Sequence, residues 1–533
     1  MMGSKVQRAL SVAVLALGVG AGVPASAAME LTAFKQAVAV EASGNAAISA
    51  FYRERDYAPF WTTAEAAPMR SALLHAIAGA QAHGLPVARY DADALTALFH
   101  DVRTQRDVAR AEVGAMRMFL AYARDVSSGV LSPADITDEI KRKVDRPDPA
   151  QLIQAFAQAE SPEAFLRALP PDSPEYARLL RTKMRLERLI AEGGWGDKVP
   201  GYGQRPGDSG PQVVALRNRL IAMGYLSRSA TRQYDAALQS AVQQFQLDHG
   251  LEPDGVAGRS TIDEVNVSPE TRLRQVLVAM ERERWLGDAR GGMHVLVNIT
   301  DFHARLIEEG EVVFETRSVV GQNRSTHRTP EFSDVMEHMI INPSWNVPRS
   351  IAVSEYLPQM MANPGAAGHL QLIDGSGRVV SRASIDFSRY NARNFPFDLK
   401  QPPSRGNALG QVKFMFPNPY NIYLHDTPSQ HLFVREVRAF SHGCIRLDDP
   451  FDFAYALLAL QTEDPKGFFH DRLATGRETK VDLETPLPVH IIYRTAMSDP
   501  RGRMQYRRDI YGRDAAIFDA LRAAGVALAP VRG

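Results

Sequence analysis

The sequence predicts a multidomain α+β chain: a helical N-terminal region, a small three-helix module, and a mixed, mainly-β (sandwich-like) C-terminal domain with an inserted cap. Three observations carry that expectation. At 533 residues the chain exceeds what one domain usually holds. Residues 193–211 contain seven glycines and three prolines in nineteen positions, the composition of a linker. The apolar period then changes from three-four to two just after Leu286.

Composition narrows the class. Hydrophobic residues make up 45% and charged residues 23%, ordinary globular usage, which excludes wholesale disorder. With 61 Lys+Arg against 61 Asp+Glu there is no basic excess to neutralise phosphates, so nucleic acid is not the expected partner. The single cysteine, Cys444, excludes an intramolecular disulfide and any multi-cysteine zinc site.

The first 27 residues read as a secretory signal. Lys5 and Arg8 precede the uncharged run Ala9–Val23, and Ala25-Ser26-Ala27 is an A-x-A cleavage site. That run is shorter than the ~20 residues needed to span a bilayer, and an uncleaved anchor is the alternative. Cleavage removes two of the 61 cations and no acid, leaving a formal charge of −2. The expected localisation is the periplasm, with no transmembrane segment after cleavage. A lone thiol exported to an oxidising compartment risks oxidation, so its retention is either structural or chemical.

Each element follows in order. Residues 30–192 are expected to form a helical domain, with Met69–Ala82, Ala109–Val126, Pro149–Glu160 and Pro174–Ala191 carrying apolar residues at helical spacing. The aromatic cluster Phe51, Tyr52, Tyr57, Phe60 and Trp61 reads as the core of that bundle. After the linker at 193–206, Val213, Leu216, Leu220 and Met223 define a helix that ends at Gly224. Leu238, Val242 and Phe245 define a second helix, and a third starts near Ser260. A connecting helix at 270–290 leads into the β domain at 291–500. Strands are expected at His294–Thr300, Val312–Thr316, His338–Asn342, Val412–Phe416, Asn421–Asp426, Leu432–Val434 and Val489–Tyr493. The proline-broken stretch at about 349–406 reads as a cap over the site, because long connections in compact domains are usually functional. Residues 501–533 form a C-terminal segment.

The chemistry centres on Cys444. His425 and, after fifteen intervening residues, Ser441-His442-Gly443-Cys444-Ile445-Arg446-Leu447 bring together a thiol, two imidazoles, a turn glycine and a guanidinium. An adjacent imidazole is the usual activator of a thiol. Gly443 permits a sharp turn that aims amides at an oxyanion, and Arg446 can grip a carboxylate. Each has a plainer reading: a histidine can be structural, and Arg446 could pair with Asp448 or Asp449. A zinc set of His425, His442 and Cys444 lacks the usual ligand spacings.

Two resemblances sharpen these expectations. Residues 207–266, from the Gly-Pro-Gln-Val start to Asp254-Gly255-Val-Ala-Gly258, resemble the three-helix peptidoglycan-binding domain of cell-wall enzymes. The H-x15-S-H-G-C-I-R-L pattern resembles the L,D-transpeptidase catalytic domain, and the segments Ile341–Pro348 and Ala408–Phe416 resemble those flanking the site in its large periplasmic members. Those members also carry a helical scaffold domain and a capping insertion. The resemblance implies that Cys444 attacks the third residue of a tetrapeptide stem, releases the terminal D-alanine, and passes the acyl group to a second stem as a 3→3 cross-link. It implies Cys444 as nucleophile, His425 as general base with His442 the runner-up, and Gly443 and Cys444 as oxyanion amides. Arg446, Tyr423 and Ser441 are expected to contact substrate or support the loop. No metal or cofactor is expected, since a cysteine–histidine pair needs none, and acylation by carbapenems is implied. Smaller members have glycine where Asp426 stands; the larger type reads H-D-T as here. The partners expected are peptidoglycan stems and, docked on the helical domain, another wall synthase or carboxypeptidase. An L,D-carboxypeptidase or endopeptidase using the same thioester is the alternative. Attachment of an outer-membrane protein to the wall, or an inactive wall-binding scaffold, are further readings.

Overall fold

The computed structural model describes residues 32–287, 290–499 and 501–528, so the expected export signal lies outside the described residues. Eight α-helices from Ala33–Ala42 to Pro174–Ala191 build the N-terminal region. Its core gathers the predicted aromatics Phe51, Tyr52, Phe60 and Trp61 with Phe119 and Phe156. Trp61 and Phe119 each stack on Phe156, at centroid distances of 5.5 and 4.5 Å. The small module follows with helices Pro211–Ala222, Ala236–Asp248 and Arg259–Val265 around Leu216, Leu220, Val242 and Phe245. Gly224 takes a φ of 85°, the left-handed conformation of a residue just past a helix end.

The Gly/Pro-rich stretch between these regions is pinned, not loose. Val199 is buried and exchanges hydrogen bonds with the Asn266 side chain, and Gln204 bridges to Ala257. Its glycines supply left-handed turns, while its intervening residues pack on the module.

The β domain closes on itself. Strands Met293–Asn298, His303–Glu308, Glu311–Gly321, Ile445–Leu447, Leu424–His425, Val412–Met415, Phe332–Ile341 and Thr479–Ile492 pair in that cyclic order, the last returning to the first. Ala439–Ser441 adds in parallel to Glu311–Gly321. The ring is barrel-like because Glu311–Gly321 is long enough to pair with His303–Glu308 along one half and with Ile445–Leu447 along the other. Val295, Val297, Met339, Phe414, Leu424, Ile445 and Ile491 fill the interior. One expected strand is not formed. Leu432–Val434 lies in and after a 3₁₀ turn at Gln430–Leu432, where Phe433 is buried alone and Val434 is exposed.

The insertion has a core of its own, including Trp345, Leu357, Met360, Leu372, Phe387, Phe395 and Leu399. A four-stranded sheet of Trp345–Asn346, Asp398–Gln401, Gln371–Ile373 and Val379–Val380 carries a helical stretch from Arg349 to Ala362 with one π turn at Ala352–Tyr356. Tyr423 of the β domain packs against this core.

The helix Pro269–Leu286, hereafter the central helix, touches every large part except the insertion. Glu281, Arg282, Glu283 and Arg284 are all buried. Glu281 accepts from the Leu131 amide and the Trp285 indole, Arg282 pairs with Glu331 and Asp514, and Glu283 takes Ser173, Arg290 and Arg494. Arg284 bonds the Tyr176 hydroxyl and the His83 carbonyl. The C-terminal segment joins this arrangement: Met504–Tyr506 pairs with Ala496–Ser498, and the helix Arg513–Ala523 packs on the central helix. No helix among the described residues is long and apolar enough to cross a membrane.

Removing one member of such a buried pair strands its partner. Glu283→Ala is expected to cost about 3–5 kcal/mol in urea unfolding, because Arg494 is left buried and unpaired. Acid acts through buried histidines, His83 and His490 among them. Burial, then the charges of Arg284 and Lys183, pushes His83 down to about 4, and burial does the same to His490. The unfolded imidazoles bind protons near ~6.5 while the folded ones do not, so stability is lost as pH falls from about 6.5 toward 4. Unfolding midpoints that stay level across that window would contradict neutral, buried imidazoles.

Candidate active site

Cys444 lies in the loop between strands Ala439–Ser441 and Ile445–Leu447, and its side chain is partly exposed. Local hydrogen bonds set the loop's shape. The Ser441 hydroxyl donates to the Cys444 carbonyl at 2.6 Å and accepts the Gly443 N–H at 3.1 Å. Gly443 has a φ of 118°, where a side chain would be strained, and its carbonyl accepts from Thr329 Oγ1 at 2.7 Å. The expected oxyanion amide of Gly443 is thus already engaged by Ser441, whereas no partner for the Cys444 N–H is found among the described residues.

Thr329 ties this loop to the N-terminal region. Its hydroxyl also receives the Gly321 N–H, and its carbonyl accepts from Arg513, which pairs with Glu139. Glu139 pairs with Arg328 as well, and residues 139–141 exchange backbone hydrogen bonds with Glu331. Sequence reading did not find Thr329 or Glu139, since neither lies near the motif in the chain.

The thiol faces the strand that carries His425. Cys444 Sγ donates to the Asn421 carbonyl at 3.4 Å, and the Tyr423 hydroxyl and backbone are hydrogen-bonded to the sulfur. Burial pushes the thiol up to about 11 despite those bonds and the nearby Arg446 and Lys413 charges. His425 is buried, with Nδ1 2.5 Å from the Asp426 carbonyl. A carbonyl only accepts, so Nδ1 carries the hydrogen and Nε2 keeps its lone pair. Burial, then Arg446 and then Lys413, lowers His425 to about 3. The resting pair is therefore a neutral thiol and a neutral imidazole, with no direct hydrogen bond between them among the described residues.

The source of those cations is the sheet register. His425 pairs laterally with Lys413 on one side and Arg446 on the other, and laterally paired residues share a face. Lys413–His425–Arg446 is thus a row across three strands. The Arg446 guanidinium makes no ion pair with Asp448 or Asp449: Asp449 takes the Thr316 hydroxyl, and Arg446 Nε is buried without a partner. Lys413 lies over the Tyr423 ring at 5.7 Å, and Tyr423 sits 5.6 Å from the His425 ring, on the strand face expected of it.

Two further motif positions resolve. Asp426 accepts the amides of Gln411 and Thr427, and a Cβ on Gly410 would meet its carboxyl at 2.2 Å, so this acid clamps the turn beside the site. His442 turns to Glu355 of the insertion, Nε2 to Oε1 at 2.5 Å, and its ring lies tilted against that of His327 at 4.4 Å. The zinc set weighed from sequence is not assembled: among the described residues the group with metal-binding spacing is His327, Glu355 and His442.

Residues 292–482 match the sequence family described as "L,D-transpeptidase catalytic domain". The β domain with its insertion is thus similar to an L,D-transpeptidase catalytic domain. Residues 209–264 match the family described as "Putative peptidoglycan binding domain", and residues 46–182 a family described as "Scaffold domain". A curated Haemophilus influenzae protein named "Putative L,D-transpeptidase" is 33% identical over 258 residues, which is 48% of this chain and 51% of that protein. The chain thus spans about half the length of that curated relative. An L,D-transpeptidase crystal structure from Xylanimonas cellulosilytica matches 56% of this chain and 100% of its own, with 17% identity and a TM-score of 0.17. One from Stackebrandtia nassauensis covers 56% and 97%, with 14% identity and a TM-score of 0.22. Scores that low add nothing to the reading of the transpeptidase domain.

The tie through Thr329 gives a direct test. Thr329→Val keeps the side-chain volume but removes both hydroxyl bonds, so the Gly443 carbonyl loses its anchor. The rate of Cys444 acylation by a β-lactam, followed by protein mass, is expected to fall about tenfold, the equivalent of one lost hydrogen bond of ~1–2 kcal/mol. An unchanged rate would separate the loop from the strap.

Proposed function

We propose that the protein is a peptidoglycan L,D-transpeptidase, exported to the periplasm, which forms 3→3 cross-links through a Cys444 thioester. The observation that carries this reading is the row Lys413–His425–Arg446 beside a thiol held by Tyr423. It supplies a base with a free Nε2 and two cations that make no ion pair with an acidic side chain among the described residues. The tetrapeptide stem ends in a carboxylate, and Arg446 with Lys413 receives it. Their charges are then offset, which removes part of what depresses His425 and lets it accept the thiol proton.

The steps balance. Cys444 Sγ attacks the carbonyl of the third residue as His425 Nε2 takes its proton, and the Cys444 N–H faces the developing oxyanion. The tetrahedral intermediate collapses, His425 returns the proton to the departing amine, and D-alanine leaves. An amine of a second stem attacks the thioester, loses a proton to His425, and regenerates the thiol. His442 is assigned a positioning role, since it faces Glu355. The insertion packs against Tyr423 and can exclude the water that would otherwise hydrolyse the thioester. The module at 207–266 holds the wall near the site and raises the local stem concentration.

Mass spectrometry of the purified chain with disaccharide-tetrapeptide tests the reading. A dimer lighter than two substrates by one D-alanine, absent with Cys444→Ala, is the expected result. Tripeptide without dimer would favour the L,D-carboxypeptidase, and no product from a chain that a carbapenem still acylates would oppose both. Lys413→Ala and Arg446→Ala are each expected to raise KM for the tetrapeptide donor tenfold or more, about 1.4 kcal/mol or more of lost binding, while His425→Ala abolishes turnover at unchanged thermal stability.

A further inference from the structure

We propose that His327, Glu355 and His442 form a binding site for a divalent transition metal ion of the zinc class, joining the insertion to the catalytic loop. One donor atom from each residue lies within 4.8 Å of the other two. The residues come from three separate segments: the turn after strand Glu311–Gly321, the π turn of the insertion's helical stretch, and the loop bearing Cys444. Nothing in the chain's local structure would bring two imidazoles and a carboxylate together from such distant positions.

The donor chemistry fits. Zinc takes nitrogen at about 2.0–2.1 Å and carboxylate oxygen at about 2.0–2.2 Å in a tetrahedron, with two histidines, one glutamate and a water as a known set. Such bonds separate donor atoms by about 3.3–3.5 Å. All three side chains are partly exposed and have room to adjust. Seating the ion requires His442 Nε2 and Glu355 Oε1 to open from 2.5 Å and His327 to move inward.

The surrounding contacts already orient one ligand. His327 Nδ1 is 2.7 Å from Thr326 Oγ1. With Nδ1–H donating to that hydroxyl, Nε2 presents its lone pair, which is how outer contacts commonly set a metal-bound imidazole. His442 Nε2–H donates to Glu355 Oε1, and an ion would take that hydrogen's place between them. The two rings lie 4.4 Å apart at 38° without a hydrogen bond to each other, an arrangement a cation between their nitrogens explains.

An ion here fixes the insertion's helical stretch over Cys444. The site therefore links metal availability to how freely the cap opens, independently of the reaction the thiol performs.

The test uses the full chain with Cys444→Ala, so that the thiol cannot bind zinc itself. Equilibrium dialysis against Zn²⁺ is expected to give one ion per chain. His327→Ala and Glu355→Gln in that background are each expected to weaken binding at least tenfold, with unchanged circular dichroism and thermal midpoint. Backbone hydrogen exchange across residues 349–362 should slow when zinc is added and return to its original rate in Glu355→Gln. Zinc retention only when Cys444 is present, or affinity in either variant equal to that of the Cys444→Ala parent, would overturn the site.

Discussion

Four consecutive charged side chains, Glu281 to Arg284, lie buried in the middle of this protein, and the arrangement of its parts rests on them. A buried ion is costly unless it is paired and fully hydrogen-bonded, so each one dictates a partner at a fixed place. Glu281 and Arg284 fix the N-terminal region through Leu131, Tyr176 and His83. Arg282 fixes the C-terminal helix and the loop leading into strand Phe332–Ile341, through Asp514 and Glu331. Glu283 reaches the barrel through Arg494. Apolar packing alone would hold these parts together but would not set their register, because it has no direction.

That register reaches the thiol by a short path. Glu331, held by Arg282, bonds along its backbone to residues 139–141, and Glu139 holds Arg328 and Arg513 on either side of Thr329. Thr329 in turn holds the Gly443 carbonyl. The helical N-terminal region is therefore part of the support of the Cys444 loop, not only a remote appendage. The same loop meets the insertion through His442 and Glu355, so it is gripped from two sides.

The electrostatics of the site follow from sheet pairing. A lysine, a histidine and an arginine placed laterally on three strands must share one face, and burial, reinforced by the two cations, keeps the imidazole neutral. The thiol stays protonated because burial of the sulfur outweighs the Tyr423 hydrogen bonds and the nearby cations, which favour the thiolate. Both groups therefore rest in uncharged forms. A thiol kept protonated in this way is less open to oxidation than a standing thiolate would be.

Local chemistry was legible in the sequence where it depends on neighbours in the chain. The Pro174–Ala191 helix, the Gly224 stop, the alternation of Val295 and Val297, and the His425 and Ser441–Arg446 motif all rest on period, capping and short spacing. Tyr423 could be placed on the face of His425 for the same reason. What the sequence could not determine is which distant residues are brought together. Lys413 looked like a flanking motif position until strand pairing set it beside His425. The engagement of the Gly443 amide, the turning of His442 toward Glu355, and the closure of the sheet into a ring depend on contacts between segments tens to hundreds of residues apart. Leu432–Val434 has the apolar content of a strand, yet no neighbouring strand offers it a ladder, and it turns instead. Sequence sets what each segment can do locally, whereas burial and pairing choose among those options only when the whole chain is packed.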